Sequence, residues 1–341
     1  MSSKEVNVLC IWQPNDKLKK YLDKGLKKYP QVKLIVPPDL SDETLLQLAP
    51  EADIIMGWRP SKELLDAAIN TKLFINPGAG VQHLIPIFKE VNEKRKLILV
   101  NGHGNAYFTA QHVVAILLSL MNKVVLHHNW MVEGLWRRGD AHATSTPLRG
   151  KKIGLLGYGA VNKHVHTFLS GFDVNFSILR KDWDKQKEPL PTPVTKYNFE
   201  DLPTFLEEID ILIVAVPLTS VTEGLIQKEE LEMLGKNSYL VNIGRGPIID
   251  EESLFEVLRE EKIAGAAIDV WYDYQPKEDD EGRKFPSKYP FYLLENVILS
   301  PHRGASPMSD LKRWDEQIKN IIRFVKGKKE FLNEVNLDEG Y

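Results

Sequence analysis

An apolar run, Lys152-Ile153-Gly154-Leu155-Leu156, passes through Gly157-Tyr158-Gly159 into a helical stretch that opens Ala160-Val161-Asn162. A strand feeding a helix through two closely spaced glycines constrains this chain more than any other feature. The helix has to carry the chain back so that the next strand lies parallel to the first, so the segment opens a βα series. Gly157 permits the tight turn, and Gly159 lets the backbone approach a pyrophosphate seated on the helix N-terminus. The usual third glycine is Asn162 here, which predicts a helix displaced slightly from its strand. A tight turn with no phosphate to hold is the plainer alternative.

The series continues with apolar strands at 174–179, 211–215, 239–243, 264–268 and 296–299, with helices in most of the gaps. The first hundred residues alternate in the same way. Strands are predicted at 6–12, 33–36, 53–56 and 73–76, and a helix at 16–28 places Leu18, Tyr21, Leu22 and Leu26 on one face. Ser41-Asp42-Glu43 starts a short helix. A chain of 341 residues with this pattern reads as two α/β domains, each around a parallel sheet. Residues 109–133 carry a long helical pattern without Gly or Pro, apolar nearly all round. Such a helix is buried, between domains or at a subunit interface. Residues 272–294 have no helical period and form an excursion loop, and an amphipathic helix is expected at about 308–326.

The end of the second strand of the series selects the dinucleotide. An acid there would bind the ribose 2′-hydroxyl of NAD; this chain has Arg180-Lys181. Two cations suit a 2′-phosphate, so NADP(H) is favoured over NAD(H). In the alternative, both are a solvated strand end and Asp182 or Asp184 takes the NAD role.

Bulk properties exclude several classes. The formal net charge of −3 gives no general pull towards nucleic acid or membrane. No stretch of about 18 apolar residues exists to span a bilayer, and the N-terminus lacks the pattern of a signal peptide. The single cysteine, Cys10, allows no intrachain disulfide and fits a reducing, cytoplasmic setting. His127-His128 and the His164/His166 pair predict no metal site, because helical residues one or two apart do not face each other. They read as surface or interface histidines.

Further blocks lie downstream. They are Ile209–Leu218, then Thr222–Ile226, Leu240-Val241-Asn242-Ile243-Gly244-Arg245-Gly246, Ala264–Val270 and Asn296-Val297-Ile298-Leu299-Ser300-Pro301-His302. In this order and spacing, together with Asn76–Val81 and Gly104-Asn105 through Gln111-His112, the chain resembles the D-isomer-specific 2-hydroxyacid dehydrogenases, glyoxylate/hydroxypyruvate reductase-like branch, over about residues 50–335. The resemblance implies two doubly wound parallel-sheet domains, Rossmann-like and flavodoxin-like, with a cleft between them. Residues 1–105 and 305–341 would form the substrate domain and 106–304 the dinucleotide-binding domain. It also implies a homodimer through helix 109–133. The activity implied is NAD(P)-dependent interconversion of a small 2-oxo acid and a D-2-hydroxy acid. Ala79, Gly80 and Val81 would bind the substrate carboxylate. Gly157, Gly159, Ala160, Val161, Arg180, Lys181, Val216, Pro217, Ile243, Gly244, Asp269 and Gly304 would bind the cofactor.

Reduction of a 2-oxo acid needs a cation for the carboxylate and ketone, an acid for the developing alkoxide, and a hydride donor against the carbonyl carbon. Arg245, between glycines after an apolar strand, is the cation; its alternative is a structural ion pair with Asp250 or Asp269. His302, fixed by Pro301 after a strand, is the acid. The third member departs from the family. A Glu is usual before a Pro just after the Asp-Val block, where its charge raises the histidine's pKa. Here Gln275 precedes Pro276, in a run one residue longer, and Asp273 or Glu278 would serve instead if the loop bends differently. Gln275 also fits a formate- or phosphite-type dehydrogenase, and a dinucleotide-sensing co-regulator is a further alternative. Trp58, Arg59 and Trp271 are expected either to line the substrate pocket or to pack in the core.

Overall fold

The structure, a computed structural model, describes residues 5–184, 186 and 188–341. It divides into two compact units, one comprising the chain through Asn105 together with Pro307–Tyr341, the other Ala106–Ser306.

The first unit runs β1 (Val6–Cys10), α1 (Asp16–Leu26), β2 (Val32–Ile35), α2 (Asp42–Leu48), β3 (Ile54–Met56), α3 (Lys62–Ala67), β4 (Leu73–Asn76), α4 (Ile85–Lys94) and β5 (Ile98–Asn101). Its five strands are parallel in the order β2-β1-β3-β4-β5. Val8, Leu9, Ile54, Ile55, Phe74 and Ile75 are buried, which is why these strands read as continuous apolar runs rather than alternating ones. The predicted helix starts carry their caps: Asn15 accepts from the Leu18 N–H and Ser41 from the Thr44 N–H.

The second unit runs α5 (Ala106–Met121), α6 (Val124–Val132), α7 (Gly139–His142), β6 (Lys152–Leu156), α8 (Ala160–Leu169), β7 (Asn175–Leu179), β8 (Val194–Tyr197), α9 (Leu202–Glu208), β9 (Ile211–Val214), α10 (Lys228–Met233), β10 (Tyr239–Asn242), α11 (Glu251–Arg259), β11 (Gly265–Ile268) and β12 (Val297–Leu299). The sheet order is β12-β11-β10-β9-β6-β7-β8, all parallel. The chain winds outward from β6 to β8, then returns to the other side of β6 at β9. Ligands bind at such a reversal, beyond the carboxyl ends of the strands. One face of the sheet is covered by Val113, Leu117 and Leu120 of α5 with Val165 and Leu169 of α8; the other by Phe205, Leu206, Leu231, Leu254 and Leu258. From this unit the chain returns to the first as α12 (Asp315–Val325), whose Ile318 and Ile321 join Trp314 against Leu18 and Leu22 of α1.

Three expectations are corrected. The pattern over 109–133 is two helices, α5 and α6, bent by 61°. Lys123 at the joint takes φ 54°, and its N–H bonds to Leu120 instead of continuing the α ladder. A left-handed residue ends a helix by offering its last carbonyls other donors. Only Trp130 of α6 is buried, so the second half is not the enclosed helix its composition predicts. His166 is fully buried rather than a surface histidine. β5 and β8 are strands that the apolar runs above did not include. Among the described residues no single helix is long and apolar enough to cross a membrane, and no cluster of His, Cys, Asp or Glu could hold a metal ion.

Candidate active site

In the second unit, the loops after β6 and β7 hold one set of residues and those after β10, β11 and β12 another. At the end of β6, Gly157 has φ 83°, and a Cβ there would come within 2.6 Å of Val216 Cγ1 and 3.0 Å of the Ala215 carbonyl oxygen. Only glycine fits this turn. Gly159 differs: a Cβ added to it would meet no atom within 4 Å. Among the described residues, the N–H groups of Gly159, Ala160 and Val161 have no acceptor in the protein. Open space in front of unpaired donors at a helix N-terminus is a cradle for a diphosphate.

Asn162 is fully buried where α8 meets β6. Its buried amide donates to the carbonyls of Gly157 at 2.7 Å and Leu156 at 3.3 Å, tying the helix to the end of β6, while its Oδ1 is buried without a partner. Tyr158, in the same turn, bonds through its hydroxyl to His166 Nδ1 at 2.9 Å, and His166 Nε2 meets Thr192 at 2.8 Å. Burial pushes the His166 pKa down to about 4. Arg180 stands where β7 ends, donating Nη1 to Gln186 at 2.9 Å with its guanidinium 5.5 Å from the Trp183 ring centre. Lys181 beside it is exposed. Asp182 caps its own turn by accepting the Asp184 N–H at 2.9 Å.

Arg245 follows β10 and is half-buried. Its Nη1 donates to the Gly244 carbonyl at 2.6 Å. It pairs with neither acid considered for it: Asp250 caps α11 by accepting the Ser253 N–H, and Asp269 is committed elsewhere. Burial lowers the Arg245 pKa from its ordinary value. Gly244 leaves a Cβ 2.9 Å from the Val216 carbonyl oxygen, and Gly246 one 2.4 Å from the Trp271 carbonyl oxygen, so the backbone on both sides of the arginine is closely packed.

Asp269 follows β11 and is 1% exposed. Its Oδ1 accepts from the Ser300 hydroxyl and, at 2.7 Å, from the Arg303 N–H; its Oδ2 accepts the Gly304 N–H at 3.0 Å. His112 Nε2 lies 3.3 Å from Oδ1 and 2.8 Å from the Ser300 hydroxyl. Burial opposes ionisation of this carboxyl, but these hydrogen bonds outweigh it and hold its pKa below the ordinary value. The turn they fix carries His302, which has φ 54°, a left-handed conformation uncommon outside glycine. His302 is exposed. Partial desolvation lowers its pKa, the Asp269 charge opposes this, and the Arg245 charge adds to it, leaving the pKa below the ordinary value.

The residue that meets His302 is Tyr274, whose hydroxyl lies 2.8 Å from Nδ1. None of the three candidates for this position reaches it. Gln275 is exposed and only its backbone N–H is engaged, by Asp273 Oδ1 at 2.8 Å. Asp273 is thereby used within the loop, and Glu278 pairs with Lys284 at 3.0 Å. The extra residue in the run shifts the contact one position back from the proline. That length difference was the available signal; His112 and Ser300 stand in blocks that carry the resemblance, but nothing local gave either a role. Trp271 is buried, with Nε1 donating to the Ser300 carbonyl at 2.8 Å, so it packs in the core beneath this turn.

In the first unit, the loop after β4 has all its carbonyls drawn inward. Asn76 donates to Gly78 at 2.6 Å and Gly80 at 3.2 Å, Asn101 to Ala79 at 2.7 Å, and the Leu84 N–H to Val81 at 2.8 Å. Among the described residues, the N–H groups of Ala79, Gly80 and Val81 have no acceptor. Three successive free donors make an anion nest. Trp58 lies beside Gly78 in an aromatic cluster with Trp12 and Trp314.

A seven-stranded doubly wound sheet with unpaired N–H donors at its reversal, and an arginine and a histidine at the ends of β10 and β12 on either side of β11, is the arrangement of a nicotinamide-dinucleotide-dependent oxidoreductase. Residues 114–304 match the family model described as D-isomer specific 2-hydroxyacid dehydrogenase, NAD binding domain. A glyoxylate reductase from Thermofilum pendens is 31% identical over 302 residues, covering 85% of this chain and 83% of that protein. A D-3-phosphoglycerate dehydrogenase from Archaeoglobus fulgidus is also 31% identical over 80% of this chain, which spans 49% of that longer protein. The crystal structure of a D-isomer specific 2-hydroxyacid dehydrogenase from Xanthobacter autotrophicus, in complex with NADPH and MES, superposes with a TM-score of 0.77 at 23% identity, over 99% of this chain and 100% of that one. The chain belongs to the D-isomer specific 2-hydroxyacid dehydrogenase family.

Proposed function

We propose that the protein reduces small 2-oxo acids of the glyoxylate and hydroxypyruvate type, drawing on NADPH in preference to NADH. The observation that carries the reading is Arg245, a half-buried guanidinium that meets no carboxylate among the described residues, at the end of the strand next to the one whose Asp269 fixes the His302 turn. An uncompensated cation there holds an anionic substrate and polarises its ketone. His302 gives the proton from Nε2, its Nδ1 being engaged by Tyr274, and this proton balances the negative charge that develops on the substrate oxygen. The bound nicotinamide supplies the hydride. The anion nest at Ala79, Gly80 and Val81 is assigned to the substrate carboxylate. The first unit is accordingly the substrate domain and the second the dinucleotide-binding domain.

Dinucleotide contacts are assigned to Gly157, Gly159, Ala160 and Val161 for the diphosphate, Arg180 and Lys181 for a 2′-phosphate, and Val216, Pro217, Ile243, Gly244 and Gly304 along the remaining strand ends; Asp269, 1% exposed with both oxygens engaged, is assigned instead to holding the turn that carries His302. NADPH preference rests on the guanidinium of Arg180 at the end of β7, where no carboxylate replaces it. The similarity to a glyoxylate reductase supports the substrate class.

A homodimer is proposed through the α5–α6 segment, since Val132 and the nearby Trp136 are 74% and 73% exposed and Val124, Val125 and Met131 are exposed beside them. Light scattering showing a monomer at micromolar concentration removes that assignment. The buried thiol of Cys10 fits a cytoplasmic protein.

The test is a set of initial rates of NADPH and NADH oxidation with glyoxylate, hydroxypyruvate and pyruvate. Turnover with NADPH preferred is expected. Turnover preferring NADH keeps the reductase and removes the role given to Arg180. No turnover with any of the three acids overturns the substrate class.

A further inference from the structure

We infer that Tyr274 is the positioning residue of His302: its hydroxyl holds Nδ1, orients the ring so that Nε2 carries the transferred proton, and leaves the imidazolium without a contacting carboxylate. The inference rests on the reading of His302 as the acid that protonates the substrate oxygen.

The geometry is built from both sides. Tyr274 Oη lies 2.8 Å from Nδ1, and the two rings meet edge to face at 5.4 Å and 62°. The same Oη accepts the Trp271 N–H at 3.2 Å. Trp271 is itself anchored through Nε1 to the Ser300 carbonyl, two residues before His302. The tyrosine hydroxyl and the histidine turn are therefore referenced to one buried residue, the first through the Trp271 backbone N–H and the second through its indole. With one lone pair of Oη taken by Trp271, a second accepts from Nδ1–H when the ring is charged. When the ring is neutral with a bare Nδ1, the hydroxyl proton turns to donate. A carboxylate can only accept. The hydroxyl thus keeps the ring oriented in every protonation state but adds no charge to stabilise the imidazolium.

The groups facing His302 from the packed elements are Tyr274 from the excursion loop, Asp269 after β11 and Arg245 after β10; Arg303 follows it in the chain. Asp269 spends its oxygens on Ser300, His112 and two backbone N–H groups. Arg245 opposes a second positive charge. The reductive reaction, which needs the imidazolium, is therefore expected to lose rate with rising pH below the range that a glutamate partner would give.

The experiment measures kcat/KM for reduction against pH in the parent, Tyr274→Phe and Tyr274→Glu, with 15N-histidine NMR of the same proteins and His302→Gln to assign the signal. Tyr274→Phe is expected to lower kcat about tenfold with little change in KM. Tyr274→Glu is expected to restore rate and raise the upper pH limit by about one unit or more. The His302 resonance should titrate correspondingly higher in Tyr274→Glu. A pH limit and a His302 titration both unmoved in Tyr274→Glu overturn the inference, as does a Tyr274→Phe enzyme as fast as the parent. If the parent reduces none of the acids, the substrate class of the proposed function fails; a His302 titration that still moves with residue 274 then supports the contact on its own.

Discussion

The carboxylate of Asp269 accepts the backbone N–H groups of Arg303 and Gly304, the two residues that follow His302. One buried acid on β11 thereby sets the path of a loop that leaves β12. The loop is held from its far side, so the left-handed backbone of His302 is sustained by contacts that do not involve its own ring. Asp269→Asn replaces one acceptor by an amide that faces an N–H donor. The expected result is a loss of about 100-fold in kcat, because the ring moves by a fraction of its reach. Asp269→Ala should also lower stability by about 2–3 kcal/mol through unsatisfied buried donors. Steady-state kinetics together with urea unfolding separate the two effects. A full-rate Asp269→Asn enzyme would show that the turn holds itself.

Gly157 and Gly159 stand two apart in one turn and should respond oppositely to the same change. Gly157→Ala forces a Cβ into Val216 and a residue into φ 83°, which is expected to cost about 1–3 kcal/mol of stability. Gly159→Ala meets only open space, so stability should stay within about 0.5 kcal/mol. Its methyl group instead occupies the diphosphate cradle, and dinucleotide affinity measured by fluorescence quenching should fall at least tenfold, roughly one lost charge-assisted contact. Equal affinities in the parent and Gly159→Ala would place the diphosphate elsewhere.

Removing the guanidinium at the end of β7 tests the cofactor assignment. In Arg180→Ala the ratio of kcat/KM for NADPH over NADH should drop by about tenfold or more, with the NADH value nearly unchanged. A parallel fall for both dinucleotides would mean that the arginine shapes the loop through Gln186 and Trp183 rather than reading a phosphate.

His166 makes stability depend on pH in a defined window. It is neutral in the folded protein, with a pKa near 4 against an ordinary 6.5, so the unfolded chain binds more protons between those values. Stability is complete above about pH 6.5, falls as pH drops towards 4, and loses no more from this group below that; the full loss is on the order of 3 kcal/mol. In His166→Gln that slope should flatten, as read from urea midpoints at several pH values. An unchanged slope would assign the acid sensitivity to the carboxylates.

The parts of the fold that were legible in the sequence are those with their physics written locally. Buried parallel strands such as β6 and β9 are uninterrupted apolar runs, Leu18, Leu22 and Leu26 announce α1 by their spacing, and Ser41 announces α2 by capping chemistry. The bend at Lys123 was not legible, because lysine carries no turn signal and the apolar pattern runs on through the left-handed residue without a Gly or Pro. β8 was missed because Val194-Thr195-Lys196-Tyr197 is an edge strand, with Thr195 and Lys196 exposed. Around the site, Arg245 and His302 could be read because each follows an apolar strand. The contact of Tyr274 depends on how a loop of one extra residue bends, and the His112–Ser300–Asp269 network joins elements 188 residues apart. No local pattern encodes such meetings.

The order β12-β11-β10-β9-β6-β7-β8 puts Arg245 and His302, which would handle the substrate, on one wing of the sheet, and the glycine turn and Arg180, which would read the two phosphate groups of the dinucleotide, on the other. Arg180, after β7, and His302, after β12, are separated in the sheet by β6, β9, β10 and β11. On the proposed reading, an exchange of charge at position 180 changes the reductant the protein draws on at a place remote from His302. Changes in the 272–294 loop can retune proton transfer without disturbing the glycine turn. A lineage built on this layout can alter its electron source and its reaction on independent schedules.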